Sequence, residues 1–372
     1  MKIGVVSLAL HTNYGGILQA YALQTVLKRM GHEAVLIDRT DWPRPWSWRV
    51  PLGMVRRAVR KYVLGAKCCV TPRAERARQA RFFRQYTNRF IEAHIDRQVI
   101  SDIRDVQPTD YQCLLVGSDQ VWRAKYFREI SENGLKDAFF YFARDWGVKR
   151  YAYAASFGTD EWEFTAQETA ECGALTRQMD GVSVREASAV GLCKEYFGVD
   201  AVHVLDPTML LTADDYRQLF DASAASANAG KVMTYVLDHS AEKDMLIKAV
   251  AEKEGKGVFE TNKLVVGEAH HEPQPPVEDW LRAFHDASYV VTDSFHACVF
   301  SILFEKQFVV YGNSGRGLAR FQSLLSMLGL EDRLVSSAAD YAVLPPIDYA
   351  QVNARLAALR ERSLDFLKQI PQ

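Results

Sequence analysis

The sequence predicts an α/β fold of two doubly wound, parallel-sheet domains, and three observations carry that expectation. Short apolar runs alternate with segments of helical periodicity, the pattern that builds such sheets. The alternation begins anew after Asp221–Gly230, an Ala/Ser-rich stretch that reads as a linker together with Asp206-Pro207-Thr208. The chain has 372 residues, more than twice the ~150 that serve as a soft prior for one domain.

Taken in order, Ile3–Ala9 predicts the first strand. Ile17, Tyr21, Leu23, Leu27 and Met30 recur at helical spacing and stop at Gly31, and Ala34–Ile37 resumes a strand, so the chain opens as a right-handed βαβ unit. Ligands in such sheets sit at the carboxyl ends of the strands. Residues from about 42 to 92 interrupt the alternation with a basic, Trp-rich helical insertion. Strand-like runs at Cys113–Val116, Tyr151–Ala155, Val182–Val184 and Ala201–Leu205, with helices such as Gln167–Met179 between them, complete a first domain over residues 1–215. A second domain, over residues 230–345, reads as strand Val232–Leu237, helix Glu242–Glu254, strand Gly257–Thr261, helix Val277–Asp286, strand Tyr289–Thr292, helix Phe295–Phe304 and strand Phe308–Tyr311. Residues 346–372 hold an amphipathic helix, Tyr349–Leu367, that packs back across the domains.

Composition narrows the function classes. With 48% hydrophobic and 24% charged residues, the chain is neither disordered nor fibrous. No apolar run approaches the ~20 residues of a bilayer span; the longest, Ala297–Phe304, is interrupted by Ser301. Met1–Leu10 has the length of a signal-peptide core but leads into His11 without a small-residue cleavage site, so it reads as a first strand. The six cysteines (Cys68, Cys69, Cys113, Cys172, Cys193, Cys298) form no C-x-x-C pair and have no histidine at zinc spacing, which argues against a disulfide framework or a structural metal, and the reducing cytoplasm is the expected compartment. A net charge of -1 hides a block from Arg44 to Arg84 with twelve Lys/Arg against one acid, Glu75. Such a block bears on partners rather than on fold.

Five loops carry candidate chemistry. Asn13, Tyr14, Gly15 and Gly16 stand between the first strand and its helix, where paired glycines admit a ligand to the backbone and the helix N-terminus favours an anion. The spacing is not G-x-G-x-x-G, so NAD is disfavoured, and a plain tight turn is the alternative. Ser118, Asp119 and Gln120 follow a buried strand and precede Trp122, a set suited to holding sugar hydroxyls under an aromatic face, or else a helix cap with a core tryptophan. Arg185 ends the strand Val182–Val184 and is placed to fork onto a carboxylate or phosphate, or to pair with a local acid such as Glu186. Ser294 and His296 begin a helix after Val290-Val291-Thr292-Asp293, where an imidazole can trade protons beside an anion; Asp293 or Ser294 could equally be a plain cap. Gly312, Gly315 and Gly317 surround Arg316 after the next strand, as an anion nest with a cationic lid or as a surface loop, and Arg320 one turn on is a further cation. No Ser-His-Asp triad or Walker loop is visible.

Six ordered segments together resemble the polysaccharide pyruvyl transferase family: Asn13-Tyr14-Gly15-Gly16-Ile17-Leu18-Gln19-Ala20, Gly117-Ser118-Asp119-Gln120-Val121-Trp122, Tyr153-Ala154-Ala155-Ser156-Phe157-Gly158, Ser183-Val184-Arg185-Glu186, Asp206-Pro207-Thr208 and Thr292-Asp293-Ser294-Phe295-His296. The family commonly carries glycine after the histidine, where this chain has Ala297. The resemblance implies a GT-B-like arrangement, two Rossmann-like domains facing across a cleft. It also implies transfer of pyruvate from phosphoenolpyruvate to two hydroxyls of a sugar of a cell-surface polysaccharide precursor, as a cyclic ketal.

On that implication His296 is the general acid/base, Asp119 binds or deprotonates an acceptor hydroxyl, and Arg185 and Arg316 hold carboxylate and phosphate. Asn13, Tyr14, Gly15, Gly16, Ser118, Gln120 and Ser294 complete the substrate contacts. Phosphoenolpyruvate is then a substrate, and neither a cofactor nor a nucleic-acid partner is expected. A lipid-linked acceptor would give the basic block of residues 42–84, with Trp42, Trp46 and Trp48, a use at the anionic inner membrane face; a solvated helical face or an acidic partner is the alternative. The rival functions are a nucleotide-sugar-dependent glycosyltransferase of the same architecture and a non-catalytic scaffold in polysaccharide assembly.

Overall fold

Strands such as Cys113–Val116 and Tyr289–Thr292 are buried along their whole length, the signature of parallel sheets covered on both faces. The structure, a computed structural model, describes residues 1–39, 55–56, 72–128, 133–261, 272–312, 317–342 and 344–371. The three tryptophans and most of the basic block, Arg316 with its flanking Gly315, and His270-His271 lie outside the described residues.

Among the described residues β1 (Lys2–Val6), β2 (Glu33–Arg39), β3 (Arg97–Ile100), β4 (Cys113–Val116), β5 (Lys149–Ala155), β6 (Gly181–Val184) and β7 (Val202–His203) form one sheet in the order β3-β2-β1-β4-β5-β6-β7. All neighbours are parallel, with Ile3 registered between Ala34 and Cys113. A second parallel sheet contains β8 (Val232–Tyr235), β9 (Val258–Glu260), β10 (Tyr289–Thr292), β11 (Gln307–Tyr311) and β12 (Leu334–Val335) in the order β12-β11-β10-β8-β9. Strand order reverses between β1 and β4 in the first sheet and between β8 and β10 in the second. Crevices at such reversals are where doubly wound sheets bind ligands. The loops holding Gly15, Asp119 and His296 all leave from these strands.

The amphipathic helix Tyr349–Leu367 spans the two sheets. Near its start Tyr349 donates to the Lys306 carbonyl beside β11. Near its end Ser363 accepts from Leu205 N at 3.0 Å, Arg360 donates to Met209 O at 2.8 Å, and Phe366 packs on Tyr153. One apolar core runs continuously through Leu18, Tyr216, Phe300, Leu356 and Leu367, joining both domains and this helix.

Several elements differ from the sequence reading for local reasons. β1 stops at Val6 because Ser7 turns away, its hydroxyl accepting from Gln19 of the first helix at 3.1 Å. β8 stops at Tyr235, after which Leu237 N donates to the Asp293 carboxylate instead of a neighbouring strand. The edge strands β3 and β12 and the helix Leu318–Leu328 add to the reading, and Arg97–Ile100 is too exposed for an apolar run to mark it. Asp206-Pro207-Thr208 is no linker: Pro207–Leu210 forms a buried single turn under the first helix, with Asp206 2% exposed. No helix among the described residues is long and apolar enough to cross a membrane.

Candidate active site

Asp206 is the hub of the cluster at the β1–β4 crevice. One carboxylate oxygen, Oδ2, accepts from Arg185 Nη1 at 2.8 Å and Ser118 Oγ at 3.1 Å. The other, Oδ1, accepts from Thr208 N and Oγ1 at 3.0 and 2.7 Å, an Asx turn that Pro207 preorganises. Burial alone would raise this carboxyl's pKa; His296, Arg185 and the Thr208 hydroxyl outweigh it and hold the group well below the usual carboxylate range.

His296 reaches the same oxygen from the second domain. It lies in the first turn of the helix Phe295–Leu303, directly after β10. Its Nε2 is 3.6 Å from Asp206 Oδ2, too far for a hydrogen bond, and this buried nitrogen has no hydrogen-bond partner. Asp293 is structural: its carboxylate binds Leu237 N and Lys243 Nζ at 2.7 and 2.6 Å and so ties the ends of β8 and β10 together. The imidazole lies flat against the first helix, since a Cβ added to Gly15 would stand 1.9 Å from Nδ1 and 2.2 Å from Cγ. That is why the second residue of the helix Tyr14–Arg29 is glycine. Gly15→Ala is expected to lower stability by about 1–3 kcal/mol through overpacking and to displace the imidazole; equilibrium denaturation and the His296 ring NMR signals measure both, and unchanged values would mean the ring has room to move.

Arg185 is 3% exposed and lies 4.6 Å from the Phe295 ring centroid. Burial works against its charge, but Asp206, Glu186 and Asp119 more than compensate, so its pKa is raised. Its Nε and Nη2 are buried without hydrogen-bond partners, although Glu186 Oε1 is 3.5 Å from Nε. Glu186 is held by the Ser156 hydroxyl. Ser156 is aimed by an irregularity in β5, where the register to β6 shifts between Ala152 and Ala155 and Ala154 has φ 51°. Asp119 also has positive φ, 75°, a conformation that costs a non-glycine residue about 1–3 kcal/mol and concentrates at functional sites. Beside these residues the domains touch backbone to backbone: a Cβ on Gly317 would stand 2.1 Å from Gly158 O.

The structure therefore brings His296, Arg185, Ser118, Asp119 and Gly15 to one place and adds Asp206, Glu186 and Phe295. Other expected contacts fall elsewhere. Tyr14 is 2% exposed, stacks on Trp280 at 5.3 Å and donates its hydroxyl to Pro275 O at 2.7 Å, so it seals the two domains together and burial raises its pKa. Asn13 is exposed, and neither it nor Ser294 caps its helix with a side-chain bond. Gln120 accepts from Arg123 at 2.9 Å and packs on Gly158. Trp122 offers no face to a sugar: it is fully buried, stacked on Phe139 at 4.9 Å with Nε1 donating to Ala138 O. Asp119 precedes no helix as a cap; its Oδ1 accepts from Gln120 N.

Residues 13–315 match the model of the polysaccharide pyruvyl transferase family. No curated protein matches the chain. Among solved structures, UGT89C1 of Arabidopsis thaliana, complexed with UDP-L-rhamnose, aligns over 98% of this chain and 97% of its own at 7% identity and a TM-score of 0.51. A glycosyltransferase from Rickettsia africae aligns over 99% of both chains at 8% identity and a TM-score of 0.50. The UDP-GlcNAc 2-epimerase of Neisseria meningitidis aligns over 99% of this chain and 93% of its own at 9% identity and a TM-score of 0.45. The first two likenesses, with the two parallel sheets, show the GT-B arrangement of two Rossmann-like domains.

Proposed function

The chain belongs to the polysaccharide pyruvyl transferase family, and we propose that it transfers pyruvate from phosphoenolpyruvate to two hydroxyls of a sugar in a polysaccharide precursor. The observation that carries this reading is a buried guanidinium, Arg185, and a buried imidazole, His296, both with unpartnered nitrogens where the domains meet. Buried N–H groups left unpaired cost free energy, so an anionic ligand would satisfy the guanidinium, while the imidazole nitrogen is left to give a proton.

In the proposed reaction His296 gives its proton to the methylene carbon of phosphoenolpyruvate, whose π electrons form the new C–H bond and leave positive charge on the adjacent carbon. A sugar hydroxyl adds there and passes its proton to Asp119. The bond to phosphate oxygen then breaks, phosphate leaves with that proton, and the second hydroxyl adds to close the ketal, its proton returning to His296. Arg185 holds an anionic group of the donor, and Asp206 fixes Arg185 and faces the imidazole.

Thermal unfolding with and without millimolar phosphoenolpyruvate tests the donor. Ligand at ~100 times its dissociation constant adds about 2.7 kcal/mol to the folded state, so a clear upward shift is expected. No shift with phosphoenolpyruvate but one with UDP or GDP would move the reading to a nucleotide-sugar glycosyltransferase.

A further inference from the structure

The second domain holds a polar cavity of about 260 Å³ between the end of β9 and the helix Val277–Asp286, with Asn228 of the stretch that joins the domains in its wall. Asp279, Arg282 and Asp286, spaced i, i+3 and i+7, turn one face of that helix into the lining. Two of the carboxylates there already have partners. Asp286 accepts from Arg282 Nε at 3.2 Å, and Glu260 Oε1 is 3.2 Å from His239 Nε2. The Asp279 carboxylate and the Asn228 side-chain amide have no hydrogen-bond partner among the described residues. Trp280 also lines the cavity and is 2% exposed. The rings of Tyr14, Tyr235, Phe284 and Phe300 stand 4.7 to 5.5 Å from it, so it meets the cavity with an edge rather than an open face. Its Nε1 is buried without a hydrogen-bond partner.

We propose that this cavity is a saccharide subsite apart from the donor site, taking one neutral sugar ring with Asp279 accepting from a hydroxyl and Trp280 Nε1 and the Asn228 amide donating to ring oxygens. Its volume lies just under the roughly 300–1,000 Å³ of sites for drug-sized ligands, which suits a single ring. A sugar hydroxyl both gives and accepts, so one ligand can engage the neighbouring Asp279 and Trp280 together and relieve the cost of the unpaired indole N–H. Three carboxylates around one guanidinium disfavour an anion such as phosphoenolpyruvate. A cationic ligand would need an open aromatic face, and the rings packed around Trp280 cover it. Tyr14, stacked on Trp280, precedes Gly15, against which the His296 imidazole lies, so the cavity is one layer of aromatic side chains from the catalytic cluster. The affinity for a sugar stands independently of the donor; that the ring is a non-reacting residue of the polysaccharide precursor rests on the proposed pyruvyl transfer.

The test is saturation-transfer difference NMR and titration calorimetry of the full chain with glucose, galactose, mannose and N-acetylglucosamine, for wild type, Asp279→Asn and Trp280→Phe, with unliganded melting points as the fold control. The wild type is expected to bind at least one of these sugars with a millimolar Kd. A lost charge-assisted contact weakens binding about 10- to 100-fold, so Asp279→Asn is expected to raise that Kd by this factor. Trp280→Phe keeps a ring and removes the N–H, and is expected to raise it about 3- to 10-fold. The thermal shift produced by phosphoenolpyruvate should persist in Asp279→Asn and with the sugar present. No binding of any of the four sugars at tens of millimolar would overturn the proposal, as would a wild-type Kd in folded Asp279→Asn. Displacement of the sugar by phosphoenolpyruvate would make the cavity part of the donor site and also overturn it. Sugar binding that is lost in Asp279→Asn, in a chain that shows no response to phosphoenolpyruvate, would overturn the donor reading and leave this subsite standing.

Discussion

His296→Ala is expected to lower kcat for pyruvyl transfer by about 10² to 10⁴, the range for loss of a positioned general acid. The imidazole is placed by three independent restraints: the start of the helix Phe295–Leu303, the flat contact on Gly15, and Asp206 3.6 Å from Nε2. None of these engages Nε2 in a hydrogen bond, so that nitrogen remains available to a substrate. The side chain makes no contact that Arg185 needs in order to stay paired with Asp206, so His296→Ala should keep the thermal shift produced by phosphoenolpyruvate while losing turnover. Single-turnover rates with saturating donor separate the two effects. A variant with near wild-type turnover would remove His296 from proton transfer, and one that lost the thermal shift as well would make it a donor-binding residue.

Much of this arrangement is legible in the sequence because it depends on local pattern. β1, the helix Tyr14–Arg29 and β2 show as apolar runs and helical spacing, and the strand-to-helix turn that carries His296 shows as four strand formers ended by Asp293 and Ser294. The family resemblance, carried by six short segments, is borne out over residues 13–315. Asp206 was less visible as a hub. One carboxylate before a proline looks the same whether the turn is exposed or lies under a helix, and only the long-range contacts with Ser118 and Arg185, 88 and 21 residues away, distinguish them. Its place in the family's Asp-Pro-Thr segment was the available signal. Trp122 posed the same ambiguity: a tryptophan after a strand can stack on a sugar or fill a core, and the partners that decide it, Phe139, Phe157 and Phe197, lie far along the chain. Tyr14 shows how a residue inside a segment expected to bind ligand can serve the domain contact instead, through Trp280 and Pro275.

Asp206→Ala should be the most destabilising single change at the site. Removing one partner of a buried ion pair leaves the other charge uncompensated, at a cost of about 3–5 kcal/mol. Here the abandoned group is Arg185, 3% exposed, with Glu186 at 3.5 Å as its remaining ion pair at the site. The Ser118 hydroxyl and the Thr208 amide and hydroxyl lose their acceptor as well. Against a total stability of about 5–15 kcal/mol, that is a large fraction. The effect has a defined pH dependence. Because the Asp206 carboxyl is held below its ordinary value, the folded state binds fewer protons there than the unfolded chain does. Its contribution is therefore fully present above the unfolded pKa of about 3.9 and declines as pH falls below that value. Urea denaturation at pH 7 and again near pH 3 should show a wide gap between wild type and Asp206→Ala that narrows in acid. Asp206→Asn separates charge from shape, since it keeps an acceptor for Thr208 while removing the charge that faces Arg185 and His296. A gap of equal size at both pH values would mean that Asp206 acts through packing and hydrogen bonds alone. Wild-type stability at pH 7 would mean that Glu186 can neutralise Arg185 unaided.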